Sequence, residues 1–169
     1  EMAGLLAPSA LSFTRLVPGH WSGAFAFWGV ENREAAVRFI EGTVTSRPGS
    51  ANCELKCMDH AANPYLAATA VLAAGLDGIE KGLDAGEPNA DNLYSFSYDE
   101  LVGRGLRSLP ANLLDAIGEL EHDDVLREAL GRGRDEDYVD YYAKVKRDEW
   151  FRYHEQVTDW ELREYLTRF

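Results

Sequence analysis

Cysteine is scarce, with only Cys53 and Cys57 in 169 residues. Two thiols exclude a small scaffold stapled by several disulfides. A zinc centre needs more ligands and tighter pairing than two cysteines four apart. The plainer reading is two small apolar side chains on a strand, and a reducing, cytoplasmic compartment is expected. Basic residues are also short: Lys and Arg number 17 against 29 Asp and Glu, for a formal net charge of -12. Such an acidic chain is repelled by polyanions, so nucleic acid and anionic membrane surfaces are not expected partners. A long hydrophobic run is missing as well. The most apolar stretch, 61–79, contains Asn63, Pro64, Thr69 and Asp77 and is too polar and too short to span a bilayer.

What remains is ordinary globular material. Hydrophobic residues make up 46% of the chain, enough for a real core, and the length suits one domain spanning 1–169. No internal repeat or low-complexity run interrupts it. The opening Glu1-Met-Ala-Gly-Leu-Leu-Ala reads as the inside of a helix, with no cap and no signal peptide before it, as if a fold were entered partway through.

The chain divides into a strand-rich segment, 10–60, and a helical one, 62–169. Aromatic residues in 24–30 predict one strand, and 35–40 follows as a second. Glu31-Asn32-Arg33-Glu34 is the hairpin turn between them. Arg47-Pro48-Gly49-Ser50 predicts a loop, and 52–58 a third strand. In that strand Cys53, Leu55 and Cys57 face one way, while Glu54, Lys56 and Met58 face the other. The charged face either meets solvent or lines a site.

Asn63-Pro64 is a helix start, and the following residues to Ile79 are apolar on most sides, which predicts a deeply buried helix. Residues 82–92 form a loop. Pro110 opens a helix to about Glu121, and a short one runs from Asp123 to a stop at Gly131. A long helix starts near Asp135, with Tyr138, Tyr141, Tyr142, Val145, Trp150, Tyr153 and Val157 as its buried stripe. The capping pattern Thr158-Asp-Trp-Glu161 starts a last, separate helix.

Candidate chemistry gathers in 15–56: Arg15, Arg33, Arg38, Glu54 and Lys56. Cations within strands are costly to bury without anions. Guanidinium groups fork onto carboxylate and phosphate oxygens. Several of them around one carboxylate suit a polyphosphate with a divalent metal. Surface salt bridges between neighbouring strands are the other reading, and the residues alone leave both open.

The motifs Arg15-Leu-Val-Pro-Gly19, Trp28-Gly-Val-Glu-Asn-Arg33 with Ala-Val-Arg38, Cys53-Glu-Leu-Lys56, and Ala62-Asn-Pro-Tyr-Leu66 with Ala-Gly-Leu-Asp-Gly-Ile79 occur in this order. Together they resemble the C-terminal part of the catalytic domain of class I (bacterial-type) glutamine synthetases. The resemblance runs across essentially the whole chain. It implies an α+β fold: antiparallel strands of a partial catalytic barrel, followed by a helical C-terminal half. It also implies an ATP-dependent ligase that joins the side-chain carboxylate of glutamate to ammonia or an organic amine through a γ-glutamyl phosphate, with Mg2+ or Mn2+. The full-length protein would be a homo-oligomeric ring.

By the resemblance, Arg15 holds the glutamate carboxylate, Arg33 stabilises the transferring phosphoryl group, and Arg38 contacts the nucleotide phosphates. Glu54 is a metal ligand. Lys56 stands where the family usually has an arginine, so its charge is kept and its fork lost. Trp21 stands where glutamine synthetases carry a glutamate that helps bind ammonium. An aromatic ring there forms an apolar or cation–π wall for a larger amine. This resembles the glutamate–amine ligase branch, although a flap substitution with ammonia still in use remains open, as does a non-catalytic scaffold or binding relative. Tyr94 matches a position adenylylated in some members and is read as an ordinary loop tyrosine. The family's small N-terminal domain and most of its metal-binding glutamates are absent from this chain, so an isolated 169-residue chain is expected to be inactive.

Overall fold

A computed structural model describes residues 1–18, 20 and 22–168, with Tyr94 described by its backbone alone. Trp21 and Gly19 therefore lie outside the described residues. The architecture is α+β, with a small three-stranded sheet and a helical remainder, as expected. The strands are β1 (Phe25–Val30), β2 (Ala35–Ile40) and β3 (Asn52–Leu55), in the spatial order β1-β2-β3. The helices are α1 (Ala3–Leu6), α2 (Arg47–Ser50), α3 (Pro64–Glu80), α4 (Tyr98–Gly103), α5 (Leu113–Glu121), α6 (Asp124–Leu130), α7 (Tyr138–His154) and α8 (Asp159–Tyr165).

The sheet departs from the expected antiparallel order in one pairing. β2 and β3 are antiparallel, with Arg38 opposite Glu54, but β1 and β2 run parallel, with Phe25 opposite Ala35. The 31–34 link is not a hairpin turn. It has none of the Gly-containing pairs that two-residue hairpins require. Instead Glu31 takes φ 51, and the chain then turns through Asn32, whose Oδ1 accepts from the Glu34 N–H at 3.0 Å. The third strand is also shorter than expected, because Cys57 falls in the turn beyond it, where it is buried, while Cys53 is exposed.

The main core is built by helices. Leu5 and Leu6 of α1, Leu113, Ile117 and Leu120 of α5, Leu126 of α6 and Val139 of α7 are all at most 1% exposed. Tyr142 seals this core and donates its hydroxyl to the Gly4 carbonyl at 2.9 Å. Burial pushes its phenol well above the usual range. The buried stripe of α7 is Val139, Tyr142 and Ala143, with Trp150 packed partly against it. Tyr141, Val145, Tyr153 and Val157, expected on that stripe, are exposed. One step of helical phase separates the two stripes: the small Val139 and Ala143 face the core beside Tyr142, and the larger Tyr141 and Val145 face outward.

Two more expectations are corrected. Helix α5 begins after an Asn112 cap rather than at Pro110. Helix α3 is capped by Asn63 as expected, yet only Ala67 and Ala70 are buried, while Leu72, Leu76 and Ile79 stand 58–78% exposed. An all-round apolar helix needs neighbours on all sides, and among the described elements α3 packs chiefly against α1 and α6.

Candidate functional site

Four of the predicted site residues form one connected group. Register places Arg38 of β2 directly across from Glu54 of β3, so their side chains leave the sheet on the same face. Arg38 Nη1 lies 3.4 Å from Glu54 Oε2, and Lys56 Nζ lies 3.5 Å from Glu54 Oε1. The other fork of Arg38 donates to Glu31 Oε2 at 2.5 Å. Arg15 meets the segment just beyond β3 and donates to the backbone carbonyls of Lys56 at 3.0 Å and Met58 at 3.1 Å. Contacts thus run without a break from Arg15 through Lys56, Glu54 and Arg38 to Glu31.

The cations Arg38 and Lys56 are the sheltered members of the group, whereas the Glu31 and Glu54 side chains are 46% and 42% exposed. The Lys56 side chain is 12% exposed and that of Arg38 21%. Arg38 Nε is buried and has no hydrogen-bond partner among the described residues. A buried unmatched donor costs free energy, on the order of 1–3 kcal/mol, which an anionic ligand would relieve. Arg33 sits on the link before β2 and is exposed.

The opposite face of the sheet is apolar, as the alternation in 53–57 predicts. Cys53, Leu55 and Cys57 line a cavity of about 720 Å³ together with Ala26, Trp28, Val37 and Phe39. The charged face and this cavity are therefore back to back across one sheet.

Sequence reasoning missed Glu31. In the sequence it reads as a turn residue, but its carboxylate also accepts from the Glu41 N–H at 3.2 Å and so fixes the end of β2. The signal available was an acidic residue seven before Arg38, which gains meaning only with the parallel register. Asn32 is a second omission. Its amide donates to the carbonyls of Asn89 at 2.9 Å and Asp91 at 3.2 Å, clasping the 82–92 loop. That loop runs so close that a Cβ at Gly29 would meet the Asn89 carbonyl at 2.5 Å, so a residue without a side chain is needed there.

A metal site is not complete here. Among the described residues no three His, Cys, Asp or Glu side chains are grouped to hold an ion. Glu54 offers one carboxylate, already facing two cations, whereas Mg2+ takes six ligands.

The glutamine synthetase catalytic-domain family model matches residues 1–165. A glutamate–methylamine ligase of Methyloversatilis universalis is 38% identical over 174 residues, covering 99% of this chain and 36% of that protein. A glutamine synthetase of Methanosarcina mazei is also 38% identical, again covering 99% of this chain and 36% of the relative. A solved GmaS/ADP complex superposes with a TM-score of 0.76 at 36% identity, over 98% of this chain and 36% of that one. The chain thus spans roughly a third of the length of the proteins it matches. Its motifs, its fold and its arginine-bearing sheet all agree with one assignment: the chain belongs to the glutamine synthetase family.

Proposed function

We propose that the protein to which this chain belongs is an ATP-dependent ligase that joins glutamate, through its side-chain carboxylate, to an organic amine. The observation that carries this reading is the Arg38–Glu54–Lys56 group at β2 and β3, with Arg15 tied to the backbone of Lys56, in a chain of this family. The glutamate side chain and ATP meet as a carboxylate and a polyphosphate, and bringing the two anions together demands fixed positive charge that does not have to reorganise during the reaction. The carboxylates of Glu31 and Glu54 hold Arg38 in place from two sides, which supplies that rigidity.

In the reaction, a carboxylate oxygen of glutamate attacks the γ-phosphorus of ATP, and the bond to the bridging oxygen of ADP breaks. The amine nitrogen then attacks the acyl carbon, phosphate leaves, and the nitrogen gives up a proton. In this reading Arg38 meets the nucleotide phosphates, and Arg33, on the exposed link, meets the transferring phosphoryl group. Arg15 and Lys56 receive the glutamate carboxylate. Arg15 spends one N–H on each of two backbone carbonyls, and a guanidinium has five. Glu54 contributes a single metal ligand, and the remaining ligands come from outside these residues. Trp21, outside the described residues, is the acceptor wall in this reading. A ring of identical subunits is the proposed assembly.

Plain glutamine synthesis from ammonia is the second reading, because a glutamine synthetase is as similar, at 38%, as the methylamine ligase. The experiment is ATP- and glutamate-dependent phosphate release by the full-length protein with ammonium and a panel of primary amines. Organic amines are expected to be the better acceptors, and Trp21→Glu to shift preference toward ammonium by a modest factor, on the order of tenfold. Turnover with ammonium alone would restore glutamine synthesis. No turnover with any acceptor would leave a non-catalytic relative.

A further inference from the structure

One residue of the link before β2 sits in a backbone conformation that its side chain disfavours. Glu31 takes φ 51, in the left-handed region, and every other positive φ among the described residues belongs to a glycine. A side chain there crowds the following carbonyl, so glycine or asparagine is the ordinary occupant. Glutamate at such a position points to contacts that those smaller residues could not make. The Glu31 N–H donates to the Phe39 carbonyl at 2.9 Å, which fixes the turn. Both side-chain oxygens are then engaged. Oε1 accepts from the Glu41 N–H at 3.2 Å, and Oε2 from Arg38 Nη2 at 2.5 Å.

The two carboxylates beside Arg38 are not equivalent. Glu54 lies 3.4 Å from Arg38 Nη1 and is shared with Lys56 at 3.5 Å. Glu31 is closer, and a backbone N–H anchors its other oxygen, so it cannot swing away without releasing the end of β2. Strand register already fixes the Arg38 backbone opposite Glu54. What the strand leaves free is the long side chain, whose ordering carries a large entropy loss. The Glu31 contact removes that freedom at Nη2. Charge alone argues against the arrangement, because a carboxylate beside a phosphate-binding guanidinium cancels part of its attraction and repels the phosphate. Its benefit is geometric: a guanidinium ordered before the ligand arrives need not be ordered on binding.

We infer that Glu31 is a positioning residue for Arg38, acting on the nucleotide only through the guanidinium it orients; this rests on the reading above for what Arg38 binds, and on the ion pair and the left-handed backbone for how Glu31 acts. Glu31 is the fixed anchor of Arg38, and Glu54 is the looser partner. A consequence of sign follows. Removing the negative charge of Glu31 from beside the phosphates weakens nucleotide binding instead of strengthening it.

The test is made on the full-length protein, with ADP as the calorimetric probe and with KM values for ATP and glutamate. Glu31→Asn suits a left-handed backbone but is uncharged and one methylene too short to hold Arg38. Its ADP affinity is expected to fall about fivefold or more and its ATP KM to rise about tenfold, while the glutamate KM stays within about twofold. Its melting temperature should stay within about 2 °C of wild type, since the backbone is relieved as the ion pair is lost. Glu31→Gln keeps the reach and one acceptor oxygen, so its ATP KM should recover to within about threefold of wild type. In an Arg38→Ala background, adding Glu31→Asn should do no further harm to ADP binding. Tighter ADP binding by Glu31→Asn, as charge alone predicts, overturns the inference, and so does a double variant whose losses add. A Glu31→Asn variant in which every KM and the melting temperature move together also overturns it and leaves Glu31 a brace of the turn. If Arg38→Ala loses ADP affinity while Glu31→Asn keeps it, the positioning role is wrong and the nucleotide reading of Arg38 stands. If Arg38→Ala binds ADP as wild type does, that reading fails and the positioning role fails with it.

Discussion

The helical core and the sheet are built to different standards. In the core Leu5, Leu6, Leu113, Ile117 and Leu120 are wholly buried, and the contacts come from α1, α5, α6 and α7 of the chain itself. On the sheet, Val30, Val37 and Phe39 are each 37–38% exposed, and an apolar cavity of about 720 Å³ lies against Val37, Phe39 and Leu55. The same contrast runs along α3, buried at Ala67 and Ala70 and bare at Leu72, Leu76 and Ile79. One region is finished by the chain's own residues, and the other presents surface that a larger fold could use. The charged group of Arg38, Glu54 and Lys56 belongs to the unfinished region, so the chemistry proposed for it depends on partners that the core does not need.

The contrast is broken most forcefully by substitution in the two regions. Ile117→Ala should cost about 2–5 kcal/mol, because it opens a void among residues that cannot collapse onto it. Phe39→Ala in the same 169-residue chain should cost about 1 kcal/mol or less, read by urea denaturation of both variants. The comparison sharpens in the full-length protein, where Phe39→Ala should become as costly as a core substitution. Equal, small costs for Phe39→Ala in both would mean that nothing covers the sheet.

A second effect is intermolecular. The isolated chain should associate in a concentration-dependent way and show no ligase turnover, since it exposes apolar strand and helix surface and its described residues group no complete metal-ligand set. Sedimentation velocity across a concentration series measures the first. Phe39→Lys on the exposed strand should weaken the association. A monodisperse chain at all concentrations would show that this surface is tolerated in water.

The thiols report the same division on a smaller scale. Cys53 is exposed and should react with an aromatic disulfide reagent promptly. Cys57 is buried, and that burial pushes its thiol pKa up, so less thiolate is present near neutrality. Its reaction should lag by about tenfold or more in the folded chain and catch up in denaturant. Equal rates in both states would mean that the turn around Cys57 opens freely.

Local signals in the sequence were read well where a single side chain decides the structure. Asn63 before Pro64, Asp123 before α6, Gly131 at φ 71 and the Thr158–Glu161 box all act where they were expected. The Ser97–Glu100 box, which starts α4, is the same kind of signal and was overlooked. The 47–50 segment, expected as a loop, closes into one short helical turn despite its Pro and Gly. What was not legible depends on distant neighbours. No local residue announces that β2 pairs parallel with β1, or that α3 lacks cover on one side. For the site, the alternation in 53–57 and the motifs were enough to bring Arg15, Arg38, Glu54 and Lys56 together. Glu31 reads as a turn residue in the sequence, because its contacts arise from a register, which has no sequence period.

The smallest effect concerns the helix furthest from the core. α8 has no buried residues, so its capping box carries a larger share of its order than the matching box carries for α4, where Leu101 is 3% exposed. Glu161 accepts from the Thr158 backbone N–H at 2.6 Å, and that bond, with the hydroxyl of the same residue, holds its carboxyl below the usual 4.5. A carboxyl whose pKa is depressed on folding adds stability above its unfolded value and loses it as pH falls through the folded one. Acidification from about pH 6 to about pH 3 should therefore fray α8 before α4, seen as loss of amide-exchange protection at Leu162 and Leu166. Glu161→Gln can still complete the box without titrating, so its α8 protection should be lower at neutral pH and nearly flat across the same range. Protection at Leu162 that is constant with pH in the wild-type chain would show that α8 is held by contacts other than its cap, and would move it from the unfinished region to the finished one.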